Sequence, residues 1–316
     1  MADLPRAFGR FKVICEIGRG LFGVTYLAQG DGDRCAIKWL RSDAPEEGRS
    51  HIANEAWALG RLDHPSIPHL IESGEQCGRP YVAMSLFAGA SLRKRRATQP
   101  EGKAASEVRW TLAVTVNVLD AIAYSQSQGV IHRDVKDDNI VTDDPFESVG
   151  LIDFGCCVGN GQPADTAPFQ HVGAWRFNPP NKLRNPSSAH LSHDVFAVGV
   201  NAYLLLTNEY PWSVRPDQNE RHLEAKMHHS APHSVQSINR VVSSEVSEFI
   251  QSLLLIDDNV RPSALQALEG ARSLLSKESA ANDFHECSRA SRVIGVEARP
   301  SLGSGPINLL AERARG

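Results

Sequence analysis

Residues 130–155 read VIHRDVKDDNIVTDDPFESVGLIDFG, and this stretch determines how the whole chain is interpreted. Asp134 stands two residues before Lys136 and five before Asn139. A second carboxylate, Asp153, follows fourteen residues after that amide. One carboxylate can orient a hydroxyl nucleophile, whereas an amide oxygen and a second carboxylate suit Mg²⁺, a hard ion that prefers oxygen ligands. This inventory is typical of metal-assisted phosphoryl transfer.

The spacing of these residues resembles the catalytic and magnesium loops of eukaryotic-type (Hanks-type) serine/threonine protein kinases. The matching elements are His132-Arg133-Asp134, then Lys136 and Asn139, and finally Asp153-Phe154-Gly155. The resemblance implies that Asp134 is the catalytic base and that Lys136 contacts the γ-phosphate. It also implies that Asn139 and Asp153 bind Mg²⁺. A turn role for Asp134 and a cap role for Asn139 would leave the spacing unexplained.

A glycine-rich loop lies between two predicted strands, Phe11–Glu16 and Val24–Ala28, and contains Gly18, Gly20 and Gly23. Because glycine has no Cβ, the backbone N–H groups of such a loop can approach a phosphate closely. A dinucleotide-binding fingerprint would require a helix after the loop, so the second strand excludes it. The loop resembles the kinase glycine-rich loop, which implies that Val24 lies over the adenine.

Lys38 lies in a predicted apolar strand, Cys35–Leu40, that resembles the third strand of the kinase fold. The resemblance implies that Lys38 holds the α- and β-phosphates and that Ala36 contacts the nucleotide. Apolar residues at helical spacing predict a helix over Ser50–Leu62, which contains Glu55. By resemblance Glu55 forms an ion pair with Lys38. The alternatives are an edge lysine and a helical glutamate that are both simply solvated.

The predicted strands Ile67–Ser73 and Pro80–Leu86 lead into a segment that resembles the kinase hinge. The resemblance implies that Met84 is the gatekeeper and that the backbone of Ser85 and Phe87 binds adenine. It also places Val141 among the nucleotide contacts. Met84 is expected to be a core residue in either interpretation.

The helical half of the chain is predicted from longer patterns. The basic run Ser91–Arg96 is either a docking patch or the solvated face of a short helix. After a loop at 98–106, a helix is expected over Glu107–Gln128. A buried helix follows Asp194, which is expected to cap it and, by resemblance, to brace the catalytic loop. The last clear helix is predicted over Ser263–Lys277.

Residues 156–172 resemble a kinase activation segment, in which Thr166 is the only hydroxyl side chain before Ser187. We expect either that Thr166 is phosphorylated and orders the segment through Arg133, or that it is an unmodified loop residue. Two positions depart from the family pattern. Ala174 replaces the usual threonine, and Asn181 replaces the glutamate that pairs with a late arginine, here Arg261. We expect Asn181 to hydrogen-bond that arginine.

Composition limits the remaining possibilities. The formal net charge of −4 over 316 residues is not that of a nucleic-acid binder with a basic face. The six cysteines follow no metal-ligand spacing, and the N-terminal residues lack a secretory pattern, so a cytoplasmic protein with reduced thiols is expected. No apolar run approaches the roughly 20 residues that a membrane span requires. His228, His229 and His233 are interpreted as solvated loop residues rather than metal ligands.

The sequence therefore predicts an α+β, two-lobed, protein-kinase-like fold. Its parts are an N-terminal extension at 1–9, a β-rich lobe at 10–85, a hinge and helical lobe at 86–278, and a flexible tail at 279–316. The implied cofactors are ATP and Mg²⁺, with Mn²⁺ as an alternative, and the implied partners are proteins with serine or threonine acceptors. The rival interpretations are an ATP-binding pseudokinase scaffold and a small-molecule phosphotransferase.

Overall fold

The computed structural model describes residues 5–30, 32–98, 104–143, 148–159 and 174–294, without the side chains of 104–107, 174 and 281–294. Thr166, most of the predicted activation segment, the side chain of Ala174 and the end of the predicted tail therefore lie outside the described residues.

An antiparallel sheet of six strands forms the N-terminal part, in the order β1-β2-β3-β4-β6-β5. Its strands are β1 Ala7–Phe8, β2 Phe11–Arg19, β3 Gly23–Gly30, β4 Asp33–Leu40, β5 Leu70–Gln76 and β6 Arg79–Ser85. Four of them overlap the predicted strands closely. The prediction of a strand over Ile67–Ser73 is wrong by three residues, because Pro68 has no N–H group to pair and the ladder begins only at Leu70.

Alternation along β4 explains how the sheet presents Lys38. Successive side chains of a strand point to opposite faces. Cys35, Ile37 and Trp39 join a buried aromatic cluster on one face of the sheet. Ala36, Lys38 and Leu40 therefore face the other side, where helix α1, Gly48–Leu59, packs against β4 and β6. The lysine is thus placed between the sheet and the helix that carries Glu55.

The C-terminal part is mainly helical. Its helices are α2 Leu92–Thr98, α3 Ala104–Ser127, α4 Pro180–Arg184, α5 Ser192–Thr207, α6 Glu220–His229, α7 Val235–Ile238, α8 Ser244–Leu253 and α9 Ala264–Ile294. The apolar helix α5 is buried along most of its length and packs against α3 and α8, which makes it the centre of the core. No helix among the residues that the structure describes is long and apolar enough to cross a membrane.

Three of the predicted helices have other bounds in the structure. Helix α1, predicted over Ser50–Leu62, spans Gly48–Leu59. Helix α3 begins at Ala104 rather than Glu107, because the two alanines that precede Ser106 are strong helix formers. Helix α9 continues to Ile294 instead of ending near Lys277. Residues 278–294 contain neither glycine nor proline, so nothing in that stretch terminates the helix.

Short strands bring together the two ends of residues 130–155. They are β7 Ala90–Ser91, β8 Val130–Ile131, β9 Ile140–Thr142, β10 Val149–Leu151 and β11 Val158–Gly159. Strands β9 and β10 pair in an antiparallel register, and β11 returns to pair with β8. The Ile152 amide donates to Asn139 O at 2.9 Å. The loop that carries Asp134 and the loop that carries Asp153 are therefore neighbours.

Candidate active site

A cavity of about 770 Å³ opens between the sheet and the helical part. This volume lies within the range usual for small-molecule sites. Thirteen of the residues that the sequence assigned to catalysis, nucleotide or metal line it: Gly18, Gly20, Gly23, Ala36, Lys38, Glu55, Met84, Ser85, Phe87, Lys136, Asn139, Val141 and Asp153. Asp134 adjoins the cavity through contacts with Lys136 and Asn139.

The prediction that Val24 covers the adenine is wrong. Val24 is buried in the aromatic cluster on the opposite face of the sheet. Strand alternation instead turns Gly23, Thr25 and Leu27 toward the cavity. The position beside a base is therefore that of Thr25, one residue further along β3.

Three charged side chains meet at the inner end of the cavity. The buried Lys38 Nζ lies 2.8 Å from Glu55 Oε2 and 2.7 Å from Asp153 Oδ1. Burial alone would lower the pKa of Lys38, but the charges of Asp153 and Glu55 outweigh it and raise that pKa. Burial likewise opposes ionisation of Asp153, yet Lys38 and His51 hold its pKa well below the usual range. The cluster therefore consists of the protonated Lys38 between the carboxylates of Glu55 and Asp153.

The loop that follows β8 holds Asp134 in a defined orientation. Lys136 Nζ donates to Asp134 Oδ2 at 2.6 Å. Asn139 Nδ2 donates to Asp134 O at 2.8 Å and to Oδ2 at 3.0 Å. Burial works against the charge of Lys136, but the Asp134 carboxylate prevails and raises the pKa of the lysine. Both partners bind the same carboxylate oxygen, and none of the described residues donates to the other one.

Asp194 braces this loop from below. Its carboxylate accepts the amides of His132 at 3.0 Å and Arg133 at 2.8 Å. Arg133 adopts a left-handed φ of 69°, an uncommon conformation that these bonds stabilise. Helix α5 begins at Ser192, so Asp194 lies in its first turn. The bracing contact is present, whereas the predicted N-cap role is wrong, because the helix starts two residues earlier.

The oxygen atoms at the inner end fit a hard divalent cation. Lys38, His51 and the Gly155 amide all approach Asp153 Oδ1, at 2.7, 3.2 and 3.4 Å. Within the described ranges no side chain or amide approaches Oδ2. The amide oxygen of Asn139 takes no part in the contacts of its Nδ2 atom. One carboxylate oxygen and one amide oxygen are thus available, and these are ligands that Mg²⁺ accepts.

A second buried charge network lies at the end of the activation segment. The prediction that Asn181 bonds Arg261 is wrong. Asn181 Nδ2 donates to Asp258 Oδ2 at 2.9 Å, and Arg261 Nη1 donates to Asp258 Oδ1 at 2.8 Å. His193 Nε2 lies 3.0 Å from the same Oδ2 atom. Asp258 therefore supplies the carboxylate partner of Arg261 that the family pattern places at position 181.

Arg133 is buried, and part of its guanidinium lacks a partner. Nη2 donates to Pro186 O at 2.9 Å. Within the described residues Nε and Nη1 have no hydrogen-bond partner, and burial lowers the pKa of this arginine. Lys182 Nζ donates to Arg133 O, and burial lowers the pKa of that lysine to about 8. Lys182 is therefore a buried amine in contact with the backbone of the catalytic loop.

Three arginines of the basic run Ser91–Arg96 form contacts within the protein. Its internal ion pairs and hydrogen bonds are Arg93 with Asp138 at 3.3 Å, Arg96 with Asp137 at 3.0 Å, and Arg95 with the Thr142 carbonyl at 2.7 Å. These contacts attach helix α2 to the catalytic loop and the strand that follows it. Neither of the two sequence interpretations, a docking patch or a solvated face, anticipated this role.

The three histidines that were interpreted as solvated loop residues do not all lie in loops, because His228 and His229 form the end of helix α6. Among the described residues, one group could hold an ion, namely His190, His193 and Asp258. Asp258 is already occupied by Arg261, Asn181 and His193, and the arginine cation opposes a second positive charge there. His228 contacts Glu224 and Arg184 instead. Neither group therefore has the character of a metal site.

Four residues of this region carried no recognisable signal in the sequence: His51, Thr25, Lys182 and Asp258. Thr25 could have been found from strand parity counted from Lys38 across the hairpin. Asp258 stands three residues before Arg261 in a stretch that resembles an ordinary polar turn. Lys182 and His51 appear as ordinary helix residues until tertiary contacts are known.

Comparison with known proteins identifies the family. The profile described as "Protein kinase domain" matches residues 11–271. Similar proteins include "Probable serine/threonine-protein kinase PknB" of Lactococcus lactis, 30% identical over 220 residues, which are 67% of this chain and 34% of the relative. "Serine/threonine-protein kinase H1" of Mus musculus is 29% identical over 269 residues, 84% of this chain and 61% of the relative.

A third relative, "Probable serine/threonine-protein kinase pknA2" of Bifidobacterium longum, is 26% identical over 261 residues, 80% of this chain and 33% of the relative. The chain thus spans between a third and about three fifths of the length of these relatives. The predicted two-lobed α+β fold and the predicted family are both confirmed. This chain belongs to the protein kinase family.

Proposed function

We propose that this protein transfers the γ-phosphoryl group of ATP to serine or threonine hydroxyls of other proteins and of its own chain. One observation carries the proposal. The Lys38–Glu55–Asp153 cluster and the Asp134–Lys136–Asn139 loop face one cavity, with oxygen atoms left available on both sides. Protein kinases generally use ATP and Mg²⁺, and this arrangement supplies a place for each.

In the proposed reaction the residues that line the cavity bind and orient the nucleotide. Lys38 contacts the α- and β-phosphates, and the glycine-rich loop covers them with backbone amides. The backbone of Ser85 and Phe87 binds the adenine. Asn139 and Asp153 hold Mg²⁺, or Mn²⁺ in its place. The bound cation neutralises charge on the phosphate oxygens, which lowers the barrier to transfer.

Asp134 orients the acceptor hydroxyl. Lys136 and Asn139 both bind Oδ2, so Oδ1 is the atom that accepts the hydroxyl hydrogen. The ammonium of Lys136 beside it can contact the transferred phosphoryl group. Most of the rate enhancement in such a site comes from positioning and charge stabilisation, and the proton transfer contributes less.

The scaffold alternative receives less support than the proposed reaction. Ala174, whose side chain lies outside the described residues, and Asn181, which removes a family carboxylate, both favour this alternative. Because Asp258 pairs with Arg261 at 2.8 Å, the arginine is not left without a charged partner. That pairing supports an ordered end of the activation segment in an active enzyme.

We further propose that Arg133 receives a phosphate from the activation segment. Among the described residues, the buried Nε and Nη1 atoms of Arg133 have no hydrogen-bond partner, and a phosphate dianion would supply acceptors for them. Thr166 is the proposed phosphorylation site. Peptide mapping of active protein tests this assignment, and full activity of Thr166→Ala with no phosphate at that position would contradict it.

The expected partners are proteins with exposed serine or threonine residues. A cytoplasmic location is part of the proposal. It is supported by the free thiols of the five cysteines whose side chains are described: Cys15, Cys35, Cys77, Cys156 and Cys157.

The test is a transfer assay with γ-labelled ATP and Mg²⁺, in which generic basic proteins and a panel of hydroxyl-bearing metabolites serve as acceptors. Wild type and Asp134→Asn are compared. The proposal predicts label on serine and threonine of proteins, and none with the variant. Label on a metabolite and on no protein would favour the small-molecule phosphotransferase instead.

A further inference from the structure

His51 occupies an unexpected place at the inner end of the cavity. It lies in the first turns of α1, one helical turn before Glu55, and is only 7% exposed. Its Nε2 atom is 3.2 Å from Asp153 Oδ1 and 3.2 Å from Lys38 Nζ. The imidazole therefore touches both members of the ion pair on which the proposed chemistry depends.

The partners of the ring define how its nitrogen atoms are used. An ionised carboxylate is only an acceptor, so a hydrogen bond from His51 to Asp153 requires the tautomer with hydrogen on Nε2. In that tautomer Lys38 Nζ donates to Glu55 and Asp153 and not to the ring. Nδ1 faces Cys156 Sγ at 3.9 Å. Burial raises the pKa of the Cys156 thiol, which keeps its S–H as a weak donor to Nδ1. A consistent chain of hydrogen bonds thus runs from Cys156 through His51 to Asp153.

The backbone of Gly155 lies directly against the same ring. A Cβ built on this glycine would overlap Nε2, Cδ2 and Cε1 of His51. Asn54, on the same helix, donates to Gly155 O at 3.4 Å. The His51 ring therefore leaves no room for a side chain at position 155, and two residues of α1 contact Gly155.

The outer face of the ring contacts the glycine-rich loop. The ring centroids of Phe22 and His51 are 4.5 Å apart with an interplanar angle of 33°. One imidazole is thus in contact with the tip of the loop, with the cavity lysine and with the magnesium loop.

We propose that His51 is a positioning residue that fixes Asp153 Oδ1 beside Lys38 and so leaves Oδ2 directed at the bound cation. The two carboxylate oxygens of Asp153 differ in their contacts. Three donors converge on Oδ1, and without His51 the carboxylate is held there by Lys38 and the long Gly155 contact alone. The inference rests on the proposed function, because it assigns Asp153 to Mg²⁺.

Two substitutions separate this role from simple packing. His51→Phe keeps an aromatic ring against Phe22 and Gly155 but removes the N–H donor. His51→Gln is the matched control, since its amide nitrogen can replace Nε2–H. Calorimetry measures the affinity of a non-hydrolysable ATP analogue with and without Mg²⁺, and thermal denaturation verifies that each variant is folded.

Mg²⁺ should raise the nucleotide affinity of wild type, and we expect this increase to be about tenfold smaller in His51→Phe. A tenfold change is the scale of one hydrogen bond to a charged group. The metal-free affinity should be unchanged, and His51→Gln should stay within about twofold of wild type. Should His51→Phe fail to fold, Cys156→Ala is the second variant. It removes the donor to Nδ1, and a smaller loss of the Mg²⁺-dependent part is expected.

The inference is overturned if His51→Phe binds the Mg²⁺ complex as well as wild type, or if it weakens binding equally with and without the metal. If His51→Phe does not fold, unchanged Mg²⁺-dependent affinity in Cys156→Ala overturns it. None of these measurements requires phosphoryl transfer. Wild type that binds the Mg²⁺ complex but transfers nothing would contradict the proposed function and leave the positioning role intact.

Discussion

Two partly buried carboxylates, Asp153 and Asp258, show how a charge proposed to bind a ligand differs from a structural one. Each is paired with a buried cation, Lys38 or Arg261. Asp153 receives all of its described contacts on Oδ1. Asp258 is bound on both oxygens, by Arg261 on Oδ1 and by His193 and Asn181 on Oδ2. Among the described residues, Asp153 thus keeps one carboxylate oxygen without a partner, whereas both oxygens of Asp258 have partners within the protein.

This difference explains which positions follow the family pattern. At the cavity, Lys38, Glu55, Asp134, Asn139 and Asp153 all keep the residue type of the family pattern, which the proposed phosphate and Mg²⁺ contacts would require. At the end of the activation segment the requirement is only a carboxylate within reach of Arg261. Asp258 meets it from a different position in the chain, and Asn181 then serves as a hydrogen-bond donor.

The largest effect is expected from Lys38→Met. Loss of the ammonium removes a phosphate contact and leaves Glu55 and Asp153 without their cation, so we expect transfer to fall by at least about a hundredfold. Initial rates of labelled phosphate transfer measure this. The exposed Lys12→Met is the matched control and should retain wild-type rates. Activity of Lys38→Met near that of the control would place the functional cation elsewhere.

Arg261→Met should break the second network and affect stability more than chemistry. Removal of one partner from a buried pair typically costs about 3–5 kcal/mol, because the remaining charge is left uncompensated. Urea unfolding should show this loss, while the folded fraction should still bind ATP. A variant with wild-type stability would show that His193 and Asn181 alone satisfy Asp258.

A charge swap sharpens the comparison. Asn181→Glu places a carboxylate beside Asp258, and we expect it to destabilise the fold by about 1 kcal/mol or more through like-charge repulsion. The double variant Asn181→Glu/Asp258→Asn should recover stability, since the carboxylate then sits at the usual family position. A double-mutant cycle measures the coupling. Strictly additive effects would mean that the two residues do not share Arg261.

The smallest effect concerns pH. Burial lowers the pKa of His193 below its ordinary value of about 6.5, so the folded state binds this proton less readily than the unfolded chain. The associated stability is present above about pH 6.5 and is lost as pH falls toward the folded pKa, by at most about 1.4 kcal/mol per pH unit.

Urea unfolding of wild type and His193→Gln over this range tests the assignment. The glutamine amide keeps a donor for Asp258 but does not titrate, so its stability should depend less on pH. Equal pH dependence of the two proteins would assign the effect to other groups, such as the buried His132, whose pKa is also lowered by burial.

Most of the cavity was predictable because its residues follow one another at short, fixed spacings. Asp134, Lys136 and Asn139 lie within six residues, and β9–β10 pairing brings Asp153 to them without any distant contact. Val24 was misassigned because its role was taken from the resemblance of the glycine-rich loop, without a count of strand alternation along β3. Once the alternation of β4 is known, the register Thr25–Lys38 corrects it.

The remaining features depend on contacts between distant segments. Asp258 contacts Asn181 across 77 residues of sequence, and His51 contacts Asp153 across 102. Local sequence patterns do not predict contacts between residues that are so far apart in the chain. Helix α9 was shortened in the prediction for a different reason, because its polar composition was taken as a sign of a tail although no residue before Gly295 terminates a helix.

The most direct measurement combines binding and transfer in one experiment. Wild type and Asp134→Asn are loaded with γ-labelled ATP and Mg²⁺, bound nucleotide is quantified, and transfer to a protein acceptor is followed over a single turnover. The proposed function predicts equal nucleotide binding and transfer by wild type alone. Equal binding with no transfer by either protein would contradict it and identify an ATP-binding scaffold.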